Sequence, residues 1–346
     1  MTTVEARSGE VTAGTASWAV KAWLVVVALL VFAMVIVGGA TRLTDSGLSI
    51  TEWQPILGVI PPLSEADWQV ALEKYRQIPE YQQVNKGMSL EAFKAIFWWE
   101  WAHRFLGRFI GLAFALPLAV FWWRGMLPGW LAWRGLAILA LGALQGFVGW
   151  YMVMSGLVDR VDVSHYRLAL HLTIAFVILA ALVWTILDLE QRVAPRIQSW
   201  AAVIVGVILL QVVLGAFVAG TKAGLSYNTW PLMDGAFVPD GMWSMSPWWI
   251  NPLENLAQIQ FNHRVLAYVI LAISVWQVVR LWGCPDWASA GWVLAAVIGQ
   301  IGLGIWTLLA AQGAIPIGLG IKHQAFAAVV LALAVWHLHA ASRRPQ

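Results

Sequence analysis

The sequence predicts an all-α integral membrane protein whose eight transmembrane helices form two repeated four-helix bundles, related by a pseudo-two-fold axis along the membrane normal. Three observations predict it. Of 346 residues, 60% are hydrophobic and 11% are charged, against roughly 25% charged in soluble domains. Eight apolar runs, near 22–40, 104–123, 135–155, 168–187, 199–219, 264–282, 288–310 and 320–339, match the length of about 20 residues that a spanning helix needs. Their unbroken apolar character excludes barrel strands, which alternate. The chain also repeats itself. Ala40-Thr41-Arg42, Ser46-Gly47-Leu48-Ser49 and Trp53-Gln54-Pro55 have counterparts in Gly220-Thr221-Lys222, Ala223-Gly224-Leu225-Ser226 and Trp230-Pro231-Leu232. His103-Arg104 matches His263-Arg264, Gln145–Gly149 matches Gln300–Gly304, and His171 falls opposite His323. An even number of helices per half makes the halves parallel, which places the axis along the normal.

Taken in order, residues 1–21 form a polar N-terminal tail on the cytoplasmic side, and the run Ala22–Ala40 is a retained helix, too long for a signal-peptide core. The first repeat is 22–187, with a long outer segment at 41–95; the second is 199–340. In the outer segment Ser64 reads as the cap of a short amphipathic helix carrying Trp68, Ala71, Leu72, Tyr75 and Ile78. That helix lies on the membrane surface or lids the helix mouths. Ser89 and Glu91 read as the start of a helix running into Trp98–Arg108. Arg124, Arg134, Arg192, Arg196, Arg280, Arg343 and Arg344 fall on the side of the termini. The excess of basic residues makes that side the cytoplasm and the membrane a bacterial cytoplasmic membrane. Arg104, Arg108, Arg167, Arg264 and Lys322 gather at the opposite mouths, against that bias. Something there needs positive charge.

The net charge of +3 carries no nucleic-acid signal, and the single cysteine, Cys284, excludes an internal disulfide and reads as a bystander. Twenty-four tryptophans belong in part to interfacial belts; Trp98, Trp99 and Trp101 beside His103 either join a belt or wall a flat aromatic ligand. Of the seven histidines, His103, His171, His263 and His323 stand at similar depth near the outer ends of even-numbered helices, two per half. Imidazole is a common axial ligand of haem iron, and two facing imidazoles make a six-coordinate site. Arg104, Arg264 and Lys322 adjoin three of the four and are placed to neutralise haem propionates. His337 and His339 read as cytoplasmic-end residues without a ligand role, and His165 as an outer-loop histidine. A zinc site would want three or four ligands at one point, and the spacing offers no such cluster. Glu100 precedes His103 by three residues and shares its helical face; the repeat sets Gln260 at its counterpart. A carboxylate shielded by the tryptophans would suit proton transfer, whereas pairing with Arg104 or Arg108 would make it structural.

Gly39–Pro55 (GATRLTDSGLSITEWQP), Glu100–Gly107 (EWAHRFLG) and the surroundings of His263 and His323 resemble the haem A synthase family, in the mitochondrial and alphaproteobacterial branch that lacks an outer-loop cysteine pair. The resemblance implies oxidation of the C8 methyl of haem O to a formyl group by successive hydroxylations, giving haem A for cytochrome oxidase. It implies that His263 and His323 hold the iron of a resident haem b in the second half, that His103 and His171 flank the iron of the substrate haem in the first, and that Glu100 moves a proton or positions substrate. The partners it implies are a haem O-producing farnesyltransferase and an electron donor, with membrane lipid and room for a homo-oligomer. A dihaem electron-transfer cytochrome and a haem transporter or chaperone are the competing readings.

Overall fold

Long apolar helices separated by short polar turns leave this chain one way to satisfy its backbone in lipid, as a bundle of spanning helices. The computed structural model describes residues 18–54, 57–190 and 198–343. The tail residues 1–17, Pro55 and Ile56, and Arg192, Arg196 and Arg344 of the charge argument lie outside the described residues. Eight of the described helices are long and apolar enough to cross a membrane. They are α1 (Trp18–Leu43), α4 (Leu90–Trp123), α5 (Gly129–Met154), α6 (His165–Glu190), α7 (Ser199–Gly220), α9 (Leu256–Arg280), α10 (Trp287–Leu309) and α11 (Ile317–Ser342). Three short helices, α2 (Glu65–Tyr75), α3 (Pro79–Gln83) and α8 (Asn251–Glu254), lie in the two long connections at one end of the bundle. Among the described residues the only β-pairing is the isolated bridge between Met233 and Ala236.

Helices α1, α4, α5 and α6 pack side by side into one ring, and α7, α9, α10 and α11 into another. The rings meet where α6 packs on α7 and α11, and α1 on α11. This junction is the heart of the core: Leu24, Val27, Phe176, Leu182, Ile204, Leu331 and Ala334 are buried in one apolar cluster that runs across both rings. Of the eight spans α11 is the most enclosed. At the loop-rich end the junction is closed by charge. Arg42 reaches Asp45 at 3.0 Å and Asp162 at 3.5 Å, and Lys222 at the end of α7 reaches the same Asp162 at 3.2 Å. At the other end Asp188 on α6 accepts from Arg134 at 2.5 Å and lies 2.9 Å from His339 Nε2 on α11. Arg134, an unaccompanied cation in the sequence, therefore has an acidic partner brought by the fold.

Two helices, α4 and α9, start eight or more residues before their apolar runs. Ser89 caps α4 by accepting from Ala92 N at 3.2 Å, and the helix then continues unbroken for 34 residues, about 51 Å at 1.5 Å per residue. This exceeds a hydrocarbon core of about 30 Å, so α4 projects at the loop-rich end. Asn255 caps α9 in the same manner. The outer amphipathic helix α2 starts as expected, with Ser64 and Asp67 forming a reciprocal capping box. Its apolar face is covered within the loop-rich end. Trp68, Leu72 and Tyr75 pack on Phe93 and Phe97 of the projecting part of α4, with Tyr81, Leu48 and Val163 in the same cluster. The aromatic surface of that projection is the nearest place to bury the apolar face of α2.

One carboxylate inside this outer cluster has an unusual setting. Glu80 on α3 is buried, and its side chain accepts from the Tyr75 hydroxyl at 3.1 Å. Burial pushes its pKa up to about 8, helped by the charges of Asp45, Asp162 and Glu100, with the Tyr75 hydrogen bond opposing. The folded state therefore holds a proton that the unfolded chain releases near 4.5, and stability falls as pH rises between those two values, by about 1.4 kcal/mol per pH unit at most. Glu80→Gln removes this dependence. The difference in thermal midpoint, variant minus wild type, is expected to grow from pH 5 to pH 8; a constant difference contradicts the buried, protonated carboxyl.

Candidate functional site

The four histidines at similar depth fall into two facing pairs. His103 on α4 and His171 on α6 lie within electrostatic reach of one another, as do His263 on α9 and His323 on α11. In each ring the two helices stand diagonally opposite, so each pair faces across the interior of its own ring. All four rings are half-buried. Backbone comes very close to two of them. A Cβ built on Gly149 of α5 would lie 2.9 Å from His171 Cε1, and one built on Gly304 of α10 would lie 2.9 Å from His323 Cε1. Any larger residue at these positions would push the imidazole out of place.

Glutamines hold three of the four imidazoles. Gln145 Nε2 lies 3.3 Å from His171 Nε2. Gln300 Nε2 donates to the His323 backbone carbonyl at 3.0 Å and lies 3.2 Å from its Nδ1. Gln211 Nε2 donates to the His263 carbonyl at 2.9 Å and lies 3.1 Å from its Nδ1. In the sequence Gln145 and Gln300 stand out only as repeat markers, and Gln211 does not stand out. The available signal was a lone amide in an otherwise apolar helix, which lipid exposure would penalise. In the register that aligns Thr41 with Thr221, Val31 stands where Gln211 does. His103 instead lies against Gly38, where a Cβ would sit 3.1 Å from its Nε2.

Three residues before each α4 and α9 histidine the two rings diverge. Glu100 is buried, and both of its oxygens are engaged. Oε1 accepts from Arg104 Nε at 3.0 Å and Nη2 at 2.6 Å, while Oε2 accepts from the Ser49 hydroxyl and the Ile50 N–H, both at 2.7 Å. Arg104 also donates to the carbonyls of Ile50 at 2.7 Å and Glu52 at 3.0 Å. Of the two partners left open by the sequence, Arg104 is the one that binds Glu100. Of the tryptophans, Trp98 packs edge-on against Trp101 and near Trp68, Trp99 is exposed, and Trp101 stacks on Phe105 and donates to the Val59 carbonyl. In the second ring Gln260 replaces the carboxylate. It donates to the Ala223 carbonyl at 3.1 Å and accepts from Arg264 Nη2 at 2.9 Å, and that nitrogen also donates to the Tyr227 carbonyl at 2.9 Å. Arg264 Nε and Nη1 are buried and, among the described residues, have no acceptor. Lys322, beside His323, is exposed.

The remaining histidines do other work. His165, expected in a loop, is the first residue of α6 and is buried, with Nε2 3.0 Å from the Leu253 carbonyl of α8. It ties the start of α6 to the connection before α9. His337 lies 2.8 Å from the Ser289 hydroxyl, and His339 binds Asp188; both are far along α11 from His323. Among the described residues no three His, Cys, Asp or Glu side chains gather to hold a metal ion.

Two facing imidazoles per ring suit a planar iron porphyrin. Both rings also present buried polar groups that, among the described residues, have no partner: Arg264 Nε and Nη1 and the Gln211 and Gln300 side-chain carbonyls in the second, and the Gln145 side-chain carbonyl and His171 Nδ1 in the first. Such groups are costly unless a polar ligand meets them.

Known proteins resemble the chain over nearly its whole length. A family model described as "Cytochrome oxidase assembly protein" (COX15-CtaA) matches residues 21–335. A protein of Parvibaculum lavamentivorans named "Heme A synthase" is 52% identical over 328 residues, covering 93% of this chain and 94% of that protein. Proteins of the same name from Brucella anthropi and Brucella ovis are 51% and 50% identical over 329 residues, each covering 93% of this chain and 91% of the relative.

Proposed function

The chain belongs to the haem A synthase family of cytochrome oxidase assembly proteins, and we propose that its two rings of helices divide the family's reaction, the oxidation of haem O to haem A, between a substrate ring and a cofactor ring. The ring of α1, α4, α5 and α6, within 22–187, takes haem O between His103 and His171. The ring of α7, α9, α10 and α11, within 199–340, holds haem b through His263 and His323. The observation that carries this division is the unequal treatment of two equivalent arginines. Arg104 is neutralised by Glu100, while Arg264 faces an uncharged amide and retains two unpartnered N–H groups. A dihaem cytochrome with two equivalent, permanent haems has no use for this difference.

Bound haem b supplies one-electron redox chemistry to the enzyme. The chain's own residues do the rest. Gln211 and Gln300 orient the imidazoles of His263 and His323, Arg264 offers its free donors to propionate carboxylates, and Lys322 adds positive charge beside His323. In the substrate ring Gln145 and Gly149 set the position of His171. Glu100 acts as a positioning group: through Arg104, Ser49 and Ile50 it locks the turn after α1 beside His103. The product is the C8 formyl porphyrin, reached by successive hydroxylations of the methyl group. Haem O comes from a membrane farnesyltransferase and electrons from a separate donor. The repeated sequence pairs and the two like-packed rings support a pseudo-two-fold axis along the membrane normal. The basic residues at the far end support a cytoplasmic position for both termini and an outward one for the loop-rich end.

Two experiments test these readings. Glu100→Gln gives the first ring the second ring's pattern with little change of shape. The variant is expected to fold and keep its resident haem, yet to make several-fold less haem A and accumulate haem O, measured by chromatography of membrane extracts. Wild-type haem A from this variant contradicts any role for the carboxylate in the reaction. For orientation, a reporter active only outside the cytoplasm should be active when inserted near Glu80 and silent when fused after Arg344; the reverse pattern contradicts the assignment.

A further inference from the structure

A cavity of about 710 Å³ opens beside the loop-rich ends of α5 and α6, lined among others by Trp150, Tyr151, Asp159, Arg160 and Arg167. The site described above does not use it. Arg167 was one of the cations that the sequence sets against the expected charge bias, and it remains unaccounted for by the histidine sites. It lies one helical turn before His171, on the same face of α6. Its guanidinium stacks 3.7 Å above the Tyr151 ring, and Nη1 donates to the Tyr151 carbonyl at 2.6 Å. Tyr151 lies two residues after Gly149, the residue packed against His171. Through Arg167 the cavity lies one helical turn along α6 from the substrate-ring histidine. Among the described residues neither Arg160 nor Arg167 has an ion-pair partner; the neighbouring carboxylate Asp162 is taken by Arg42 and Lys222. Two cations against one carboxylate, Asp159, leave the cavity net positive with aromatic walls. That combination fits the edge of a flat, apolar molecule carrying carboxylates.

The corresponding stretch of the second ring lacks these charges. In the register that aligns His171 with His323, Leu319 stands where Arg167 does, and residues 310–316 between α10 and α11 include no charged residue, against Asp159, Arg160 and Asp162 between α5 and α6. A resident cofactor is loaded once, whereas a substrate enters and a product leaves in every cycle. Only the ring that exchanges its porphyrin needs a way in.

We propose that this cavity is the exchange port of the substrate ring, where Arg160 and Arg167 engage the propionate carboxylates of haem O on its way to His103 and His171. The inference rests on the assignment of the first ring to substrate. It predicts that capture of haem O depends on the substrate's carboxylates and on these two arginines, while the second ring is indifferent to both.

The test uses full-length protein carrying its resident haem in nanodiscs of zwitterionic lipid, mixed rapidly with haem O or with its propionate dimethyl ester. The wild type should capture the free acid roughly tenfold faster than the ester. Arg160→Gln with Arg167→Gln should lower capture of the acid to about the rate of the ester, with the resident haem spectrum unaltered. Should the double variant fail to fold because the Tyr151 carbonyl loses its donor, Arg160→Gln alone decides; its side chain is exposed, and a several-fold slowing is expected. Equal capture of acid and ester by the wild type, or wild-type capture by the variants, overturns the port. So does an effect confined to nanodiscs containing anionic phospholipid, which would make the cavity a lipid headgroup site. If wild-type protein takes up no haem O, the port falls together with the functional reading. If His103→Ala captures haem O as the wild type does and the arginine variants do not, the port stands and the placement of substrate at His103 fails.

Discussion

The turn after α1 is held to α4 by one buried ion pair and the hydrogen bonds around it, and the rest of the site depends on that clamp. Glu100 receives Arg104, the Ser49 hydroxyl and the Ile50 N–H, and Arg104 continues to two carbonyls of the same turn. A buried pair of this kind adds little net stability when whole, but losing one partner strands a charge at a cost of about 3–5 kcal/mol. It therefore fixes geometry more than it adds energy. His103 is three residues along the same helix, so the clamp decides how one wall of the first ring is presented. The second ring builds the same clamp with an amide: Gln260 and Arg264 hold the turn after α7 by hydrogen bonds alone. The exchange of one carboxylate for an amide leaves the shape of the clamp and changes its charge. The arginine of the second ring keeps its charge for an anionic ligand, and the first ring must find positive charge elsewhere, as it does at Arg160 and Arg167.

The two rings are separate in their histidines and joined in their packing. The buried faces of α1, α6, α7 and α11 form one core, closed at one end by Arg42, Lys222 and Asp162 and at the other by Arg134, Asp188 and His339. Interiors packed in this way move as units and do not deform gradually. His165, tied to Leu253 across the ring boundary, adds a second link near the histidines. This packed junction sets the positions of the two histidine pairs relative to one another.

The spans were legible in the sequence because a membrane helix must be apolar over its whole length, and the caps at Ser64 and Ser89 because capping is a local matter of one side chain and the next turn. The four histidines were legible because their positions recur. What escaped the sequence depends on contacts between distant segments. Arg104 and Arg108 were equal candidates for Glu100 until the Ser49–Ile50 turn, some fifty residues earlier, came down on Arg104. Gln211 was silent because an amide in an apolar helix reveals its partner only when the rotation of α7 against α9 is known. Helix α2 announced its apolar face but not the surface that covers it, since the projecting part of α4 is aromatic on several sides. His165 looked like a loop residue because α6 begins three residues before its apolar run.

The central claim, that the rings hold different porphyrins, is tested most directly by the resident haem content of purified single alanine variants. The account predicts that His263→Ala and His323→Ala lose or convert the low-spin bis-histidine haem b spectrum, while His103→Ala and His171→Ala retain it at wild-type stoichiometry. Loss of that spectrum from the His103 or His171 variant, with retention in the His263 and His323 variants, would contradict it.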